Sequence, residues 1–405
     1  MGVKLFRPAI QRLSTLVLMA LFCVGMAFLS IFFKTIEYEK GYQYKKEASQ
    51  IMSELLDSLK KEASKIYQDQ NAEQMKTNYP VPDSTLDPID SGLVFFCEGT
   101  EGALPSKLST LNPNFAALVV DLFLEAGLEE GDDIAVAFTG SLPGANVAVL
   151  SACEVMGINP IVITSVSASN WGACDYDRFS WLDMENELEL FFNSDKYTSI
   201  AASIGKGGDC GNSLPNEIIN KIDKKIKKRI SGSGATLSNR DKDLEYHVDK
   251  RINKYWGHNN SDIKLYVNVG GGVASLGTYP GIKESTGFLS VDSLKTLKDK
   301  NQINEISVMS KMSLEHEVPA INIVNIEQLI ENKLNLIDAG MNDDIEADPE
   351  FVKVNEERLF FQEKYNLMIV IPSLVASLLL VLSIGVYSHF QIKKRMRSYE
   401  PDSIS

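Results

Sequence analysis

A chain of 405 residues with net charge −14 and an ordinary apolar fraction has room for one large α/β domain or two small ones. The acidic balance excludes a general nucleic-acid binder, because phosphate binding needs a basic surface. Five cysteines without a C-x-x-C, and histidines as scattered as His247, His258 and His316, give no zinc-ligand spacing, so neither a metal nor a cofactor is expected.

Residues 1–12 carry Lys4, Arg7 and Arg12 and precede an apolar run at 13–33, about 20 residues and enough to cross a bilayer as a helix. A second such run occupies 365–388, with Pro372 inside it as a source of a kink. A basic tail at 389–405 follows, with Lys393, Lys394, Arg395 and Arg397. Basic flanks stay on the cytoplasmic side. Both termini are therefore expected inside, with residues from about 34 to 365 outside. Gly25-Met26-Ala27 offers a signal-peptidase pattern, but cleavage there would leave an apolar N-terminus at 28–33. Cys23 lies in the first run. Cys97, Cys153, Cys174 and Cys210 lie in the expected outer part, where oxidation is permitted. Four cysteines allow three pairings. Loop positions favour Cys174 with Cys210, while Cys153 sits on an apolar helix face and reads as a small packed hydrophobe.

Residues 34–90 read as a helical stalk followed by a linker. Ala48, Met52, Leu55, Leu59 and Ile66 lie near one helical stripe within 44–67, and Pro80, Pro82 and Pro88 mark extended chain. Residues 91–337 form the expected α/β domain. Its predicted strands are 93–97, 134–138, 161–166, 199–204, 263–269 and 320–324. Its predicted helices are 115–126, 147–156, 183–192, 213–230, 241–256, 273–276, 305–317 and 326–333. Asn112-Pro113 precedes the first of these helices as a cap, and Gly127 ends it. The polar stretch 284–301 has no clear periodicity. Residues 338–364 read as an acidic loop and a second stalk. Strands alternating with helices imply a mostly parallel, doubly wound sheet, so the class is α/β, extracytoplasmic, between two transmembrane helices.

Residues 132–173 organise this domain. A β-rich run at 134–138, a Gly/Pro break, a helix closed by Gly157 and a second β-rich run make a βαβ unit with parallel strands. Ligands of such sheets bind at the carboxyl ends of the strands. Glycine loops stand behind three strands and let a backbone approach an anionic or oxygen-rich ligand. They contain Gly140, Ser141 and Gly144; Gly205, Lys206, Gly207, Gly208 and Asp209; and Gly270, Gly271 and Gly272. Neither a P-loop nor a dinucleotide fingerprint is present. Ser141 stands where a nucleophile elbow would, but without G-x-S-x-G it reads more readily as a helix N-cap. Lys206 and the three scattered histidines are the candidate bases for it, and the sequence does not fix their distance. The segment 165–185 adds Ser167, Ser169 and a possible aromatic platform of Trp171, Tyr176 and Trp181. It also adds Asp175, Asp177, Asp183 and Glu185, as acid–base groups or cation ligands. The alternative is a loop packed by its own aromatics. Catalytic candidates are thus Ser141, Lys206, Asp175 and Asp177. The helix at 213–230 has Lys221, Lys224, Lys225, Lys228 and Arg229 on one face, a solvated face or a surface for a polyanion or lipid head groups.

The sequence FTGSLPGANVAVLSACEVMGINPIVITSVSASNWGA at 138–173, with WLDME at 181–185, NPNFAAL at 112–118 and YVNVGGGVASLG at 266–277, resembles the poly-γ-glutamate system protein family. The resemblance covers most of the region between the apolar runs. It implies a bacterial plasma-membrane protein of the synthesis or export of that polyanion, with the lipid bilayer, the synthase complex and the polymer as partners. It implies a pathway rather than a reaction, and no catalytic residue is carried over. Either a non-enzymatic accessory or an extracytoplasmic hydrolase or transferase fits. The regions read as stalks and the stretch 284–301 depart from the family pattern.

Overall fold

Helical and extended periods alternate along the chain, and the computed structural model turns them into alternating helices and strands. It describes residues 13–67, 103–169, 171–230, 235–259, 261–303, 306–334 and 359–397. The predicted strand 93–97, the proline linker, Cys97 and the acidic stretch 338–350 lie outside the described residues. In chain order the elements begin with α1 (Leu13–Phe32), β1 (Lys34–Tyr38), α2 (Tyr42–Tyr67), α3 (Leu104–Ser109), α4 (Asn114–Ala126), β2 (Asp133–Thr139), α5 (Pro143–Met156) and β3 (Asn159–Ser165). They continue with β4 (Cys174–Asp175), β5 (Phe179–Ser180), α6 (Trp181–Phe192), β6 (Ser199–Ser203), α7 (Asn216–Arg229), α8 (Leu244–Gly257) and β7 (Ile263–Val269). The last are α9 (Val273–Leu276), α10 (Pro280–Glu284), β8 (Gly287–Leu289), α11 (Val291–Asp299), α12 (Val308–His316), β9 (Ala320–Ile323), α13 (Ile326–Leu334), β10 (Phe361–Tyr365) and α14 (Leu367–Arg397).

These elements form two units, one of residues 1–39 with 361–405 and one of residues 40–360. In the first, α1 and α14 are long and apolar enough to cross a membrane, and their large apolar side chains, Leu18, Phe28 and Met368 among them, stay exposed. The residues next to them were expected as stalk. They instead pair as antiparallel strands, β1 on β10, from Lys34 opposite Tyr365 to Tyr38 opposite Phe361. Lys34–Glu363 at 2.8 Å and Lys364–Glu37 at 2.5 Å bridge them.

The second unit is built on a six-stranded sheet in the order β6-β3-β2-β7-β9-β8, parallel except for β8, which runs antiparallel at one edge. The three strands expected at its centre, β2, β3 and β7, lie inside it. Ile134, Val136 and Phe138 of β2 face one apolar cluster, and Ala135 and Ala137 face the other. Such two-sided burial explains why this strand reads as a continuous apolar run. Gly127 and Gly157 close α4 and α5 in the left-handed conformation that glycine adopts most easily.

Helix α2 corrects a second expectation. Ala48, Met52, Leu55, Leu56, Leu59 and Ala63 are buried in the core rather than presented on a free stalk. The helix lies on α4 and α5, and its Lys45 is held 2.9 Å from Asp121. The polar stretch 284–301 contains the short edge strand β8 and α11.

Candidate functional site

Strand order decides where a ligand fits. From β2 the chain builds outward through β3 and β6, then returns to place β7 on the other side of β2. Neighbouring strands whose connections leave in opposite directions open a crevice beyond their carboxyl ends. A cleft of about 310 Å³ occupies that place. Thr139 at the end of β2, Ser165 at the end of β3 and Gly270 after β7 line it.

All four loops proposed from the sequence reach this cleft. They contribute Ser141, then Ser167 and Ser169, then Lys206, and finally Gly270, Gly271 and Gly272. The other candidates stand elsewhere. Gly140 packs against the Val166 carbonyl and Gly144 against the Thr110 backbone, where a Cβ would not fit. Trp171, Gly207 and Gly208 do not line the cleft. Asp175 is engaged by Arg178 at 2.7 Å and Asp177 by Lys221 at 2.9 Å, and neither lines the cleft. The aromatic platform is not formed either. Trp181 is fully buried with its ring edge on Phe138, and the buried Tyr176 hydroxyl accepts from the Ala168 N–H at 3.0 Å. The basic face of α7 is largely neutralised within the protein. Asp183 takes both Lys225, at 2.7 Å, and Arg229. Among the described residues no cluster of three His, Cys, Asp or Glu side chains is placed to hold a metal.

Beneath the cleft, Asp209 and Arg251 form a buried ion pair. The guanidinium of Arg251, on α8, donates to Asp209 Oδ2 at 2.9 Å, to Ser165 Oγ at 2.9 Å and to Ser203 Oγ at 2.7 Å. One buried cation thus ties together the ends of β3 and β6 and the loop carrying Lys206. Removing one partner of such a pair costs about 3–5 kcal/mol, because the other is left buried and uncompensated. Behind Gly270, Asn268 Nδ2 donates to the Gly270 carbonyl and to Asn322 Oδ1, each at 2.8 Å. The glycine loop is therefore held from below, while the N–H groups of Gly271 and Gly272 have no partner among the described residues.

One residue of the site went unanticipated. Lys107, on the short helix α3, reaches in beside Ser141 and Ser169. Its Nζ donates to the Ser141 carbonyl and to Ser169 Oγ, the latter at 2.9 Å. The Ser169 N–H donates to Ser141 Oγ at 3.0 Å. Lys107 is 6% exposed, and burial, with a smaller contribution from the charge of Lys206, pushes its pKa down to about 8. Burial also lowers that of Lys206. Among the described residues neither lysine has a carboxylate partner, so the cleft presents positive charge, hydroxyls and free N–H groups together.

No family model matches the chain, and no curated protein or solved structure does so either.

The cysteine pairing favoured from loop positions is not formed. Cys174 is disulfide-bonded, whereas Cys210 is free and its thiol donates to the Gly207 carbonyl at 3.2 Å. Cys153 is free and buried in α5.

Proposed function

We propose that this chain is a membrane-anchored accessory protein of bacterial poly-γ-glutamate synthesis or export, and that its α/β domain binds a carboxylate-bearing ligand in the switch-point cleft. The observation that carries the ligand class is the pair Lys107 and Lys206, which share one small cleft with no carboxylate among the described residues to neutralise them. A buried uncompensated charge is costly, and an incoming anion relieves it. The pathway rests on the resemblance in the βαβ unit and the glycine loop after β7. The two exposed apolar helices support the anchor, and basic residues on both flanks favour cytoplasmic termini. The disulfide at Cys174 fits an oxidising compartment outside the cytoplasm.

The test is binding of a short γ-linked glutamate oligomer to the full chain in detergent. Lys206→Ala is expected to weaken binding about tenfold, the worth of one charge-assisted contact, and added salt should weaken the wild type. Equal affinity of the two proteins, or indifference to salt, would remove the cleft from polymer handling. An enzymatic reading is favoured by one specific observation, the contact between Lys107 and Ser169.

A further inference from the structure

We propose that Ser169 is a nucleophile and Lys107 its general base, so that the cleft cleaves an amide bond beside a carboxylate. This inference rests on the reading of the cleft as an anion site and adds a reaction to it. The geometry selects Ser169 over Ser141. Lys107 Nζ lies 2.9 Å from Ser169 Oγ, within range for direct proton transfer. It touches Ser141 only through the backbone carbonyl, and Ser141 Oγ is occupied as acceptor of the Ser169 N–H. The carbonyl of Ser141 aims the lysine, and the hydroxyl of Ser141 aims the backbone of Ser169. A lysine serves as a base only when neutral; burial in the cleft wall favours that form for Lys107, and when it is neutral the charge that holds the anion falls to Lys206.

The step balances without a redox partner. Lys107 takes the proton of Ser169 Oγ as the Oγ–C bond forms at the amide carbonyl. The N–H groups of Gly271 and Gly272, in the same cleft and without a partner among the described residues, are the donors available to the oxyanion. The C–N bond then breaks, and the proton on Lys107 passes to the leaving nitrogen. Water attacks the ester, giving its proton to Lys107. The C–Oγ bond breaks, a carboxylic acid leaves and Ser169 recovers its proton. Lys206 supplies charge for a carboxylate next to the scissile bond, so the substrate class is a peptide-like amide with an adjacent acidic group.

A fluorophosphonate probe applied to the full chain in detergent, followed by peptide mass spectrometry, tests this. An adduct is expected on Ser169, forming faster as pH rises through about 8. Lys107→Arg keeps the positive charge but not the base, and should slow the adduct about 100-fold. Absence of a Ser169 adduct from the wild type at pH 9 overturns the proposal whatever the variants do. So does labelling of Lys107→Arg at the wild-type rate. Wild-type protein that binds the glutamate oligomer yet never labels refutes acyl transfer and leaves the binding reading standing. Labelling without oligomer binding supports the nucleophile and refutes the polymer as ligand.

Discussion

Glu185 shows how far burial can move one group. Its carboxylate is enclosed beside β3 and β6. It accepts from Trp181 Nε1 at 2.6 Å, Thr164 Oγ1 at 3.1 Å, Ser199 Oγ at 2.7 Å and the Ser199 N–H at 3.1 Å. Burial outweighs these four donors and pushes its pKa up from 4.5 to about 7. A folded-state value above the unfolded one gives stability that is complete below 4.5 and lost as pH rises through about 7. The gap corresponds to about 3 kcal/mol. The stability of wild type minus that of Glu185→Gln, measured by denaturant unfolding, should therefore fall by about that amount between pH 4.5 and 8. A difference that does not change with pH would mean that folding does not raise the pKa of this carboxyl. The sequence places Glu185 in a cluster of acids suited to catalysis or a cation. It holds no sign that the neighbouring tryptophan and the strand β6, fourteen residues on, close over it.

Helix α2 carries the corresponding lesson for elements. Its apolar stripe is legible because positions three and four apart share a face. The stripe says that a face is covered, not by what, and a coiled-coil seam and a docked helix use the same spacing. Leu55 is fully buried, so Leu55→Ala should destabilise the second unit by about 2–5 kcal/mol in equilibrium unfolding. A loss below about 0.5 kcal/mol, typical of surface positions, would return α2 to a solvated stalk. The edge strand β8 was illegible for a different reason. Three residues are too few to show a period of two, and only pairing with β9 makes Gly287–Leu289 a strand. Strands β1 and β10 are illegible for a related reason, since each is largely exposed and its extended form rests on the other.

For the whole molecule the sharpest expectation concerns the membrane. Basic residues precede the first apolar run and follow the second, so reporter fusions at Gln74 and Ser405 should report opposite compartments. Matching signals would end the two-pass arrangement.

Some properties of this protein are written locally. Two apolar runs, three strands buried on both faces and glycines at the ends of β2 and β7 follow from nearest neighbours, because transfer free energy and backbone freedom act residue by residue. Hence the α/β class and the four loops were readable, and so was the side of the sheet on which they gather. The chemistry was not. Lys107 is an ordinary lysine until folding brings it to Ser169, 62 positions away. Asp209 reads as a ligand until Arg251, 42 positions away, buries it as structure. Parallel strands require long crossovers, so the groups that meet at their ends come from distant segments. Which of them meet is set by the strand order β6-β3-β2-β7-β9-β8, and that order exists only in the packed sheet.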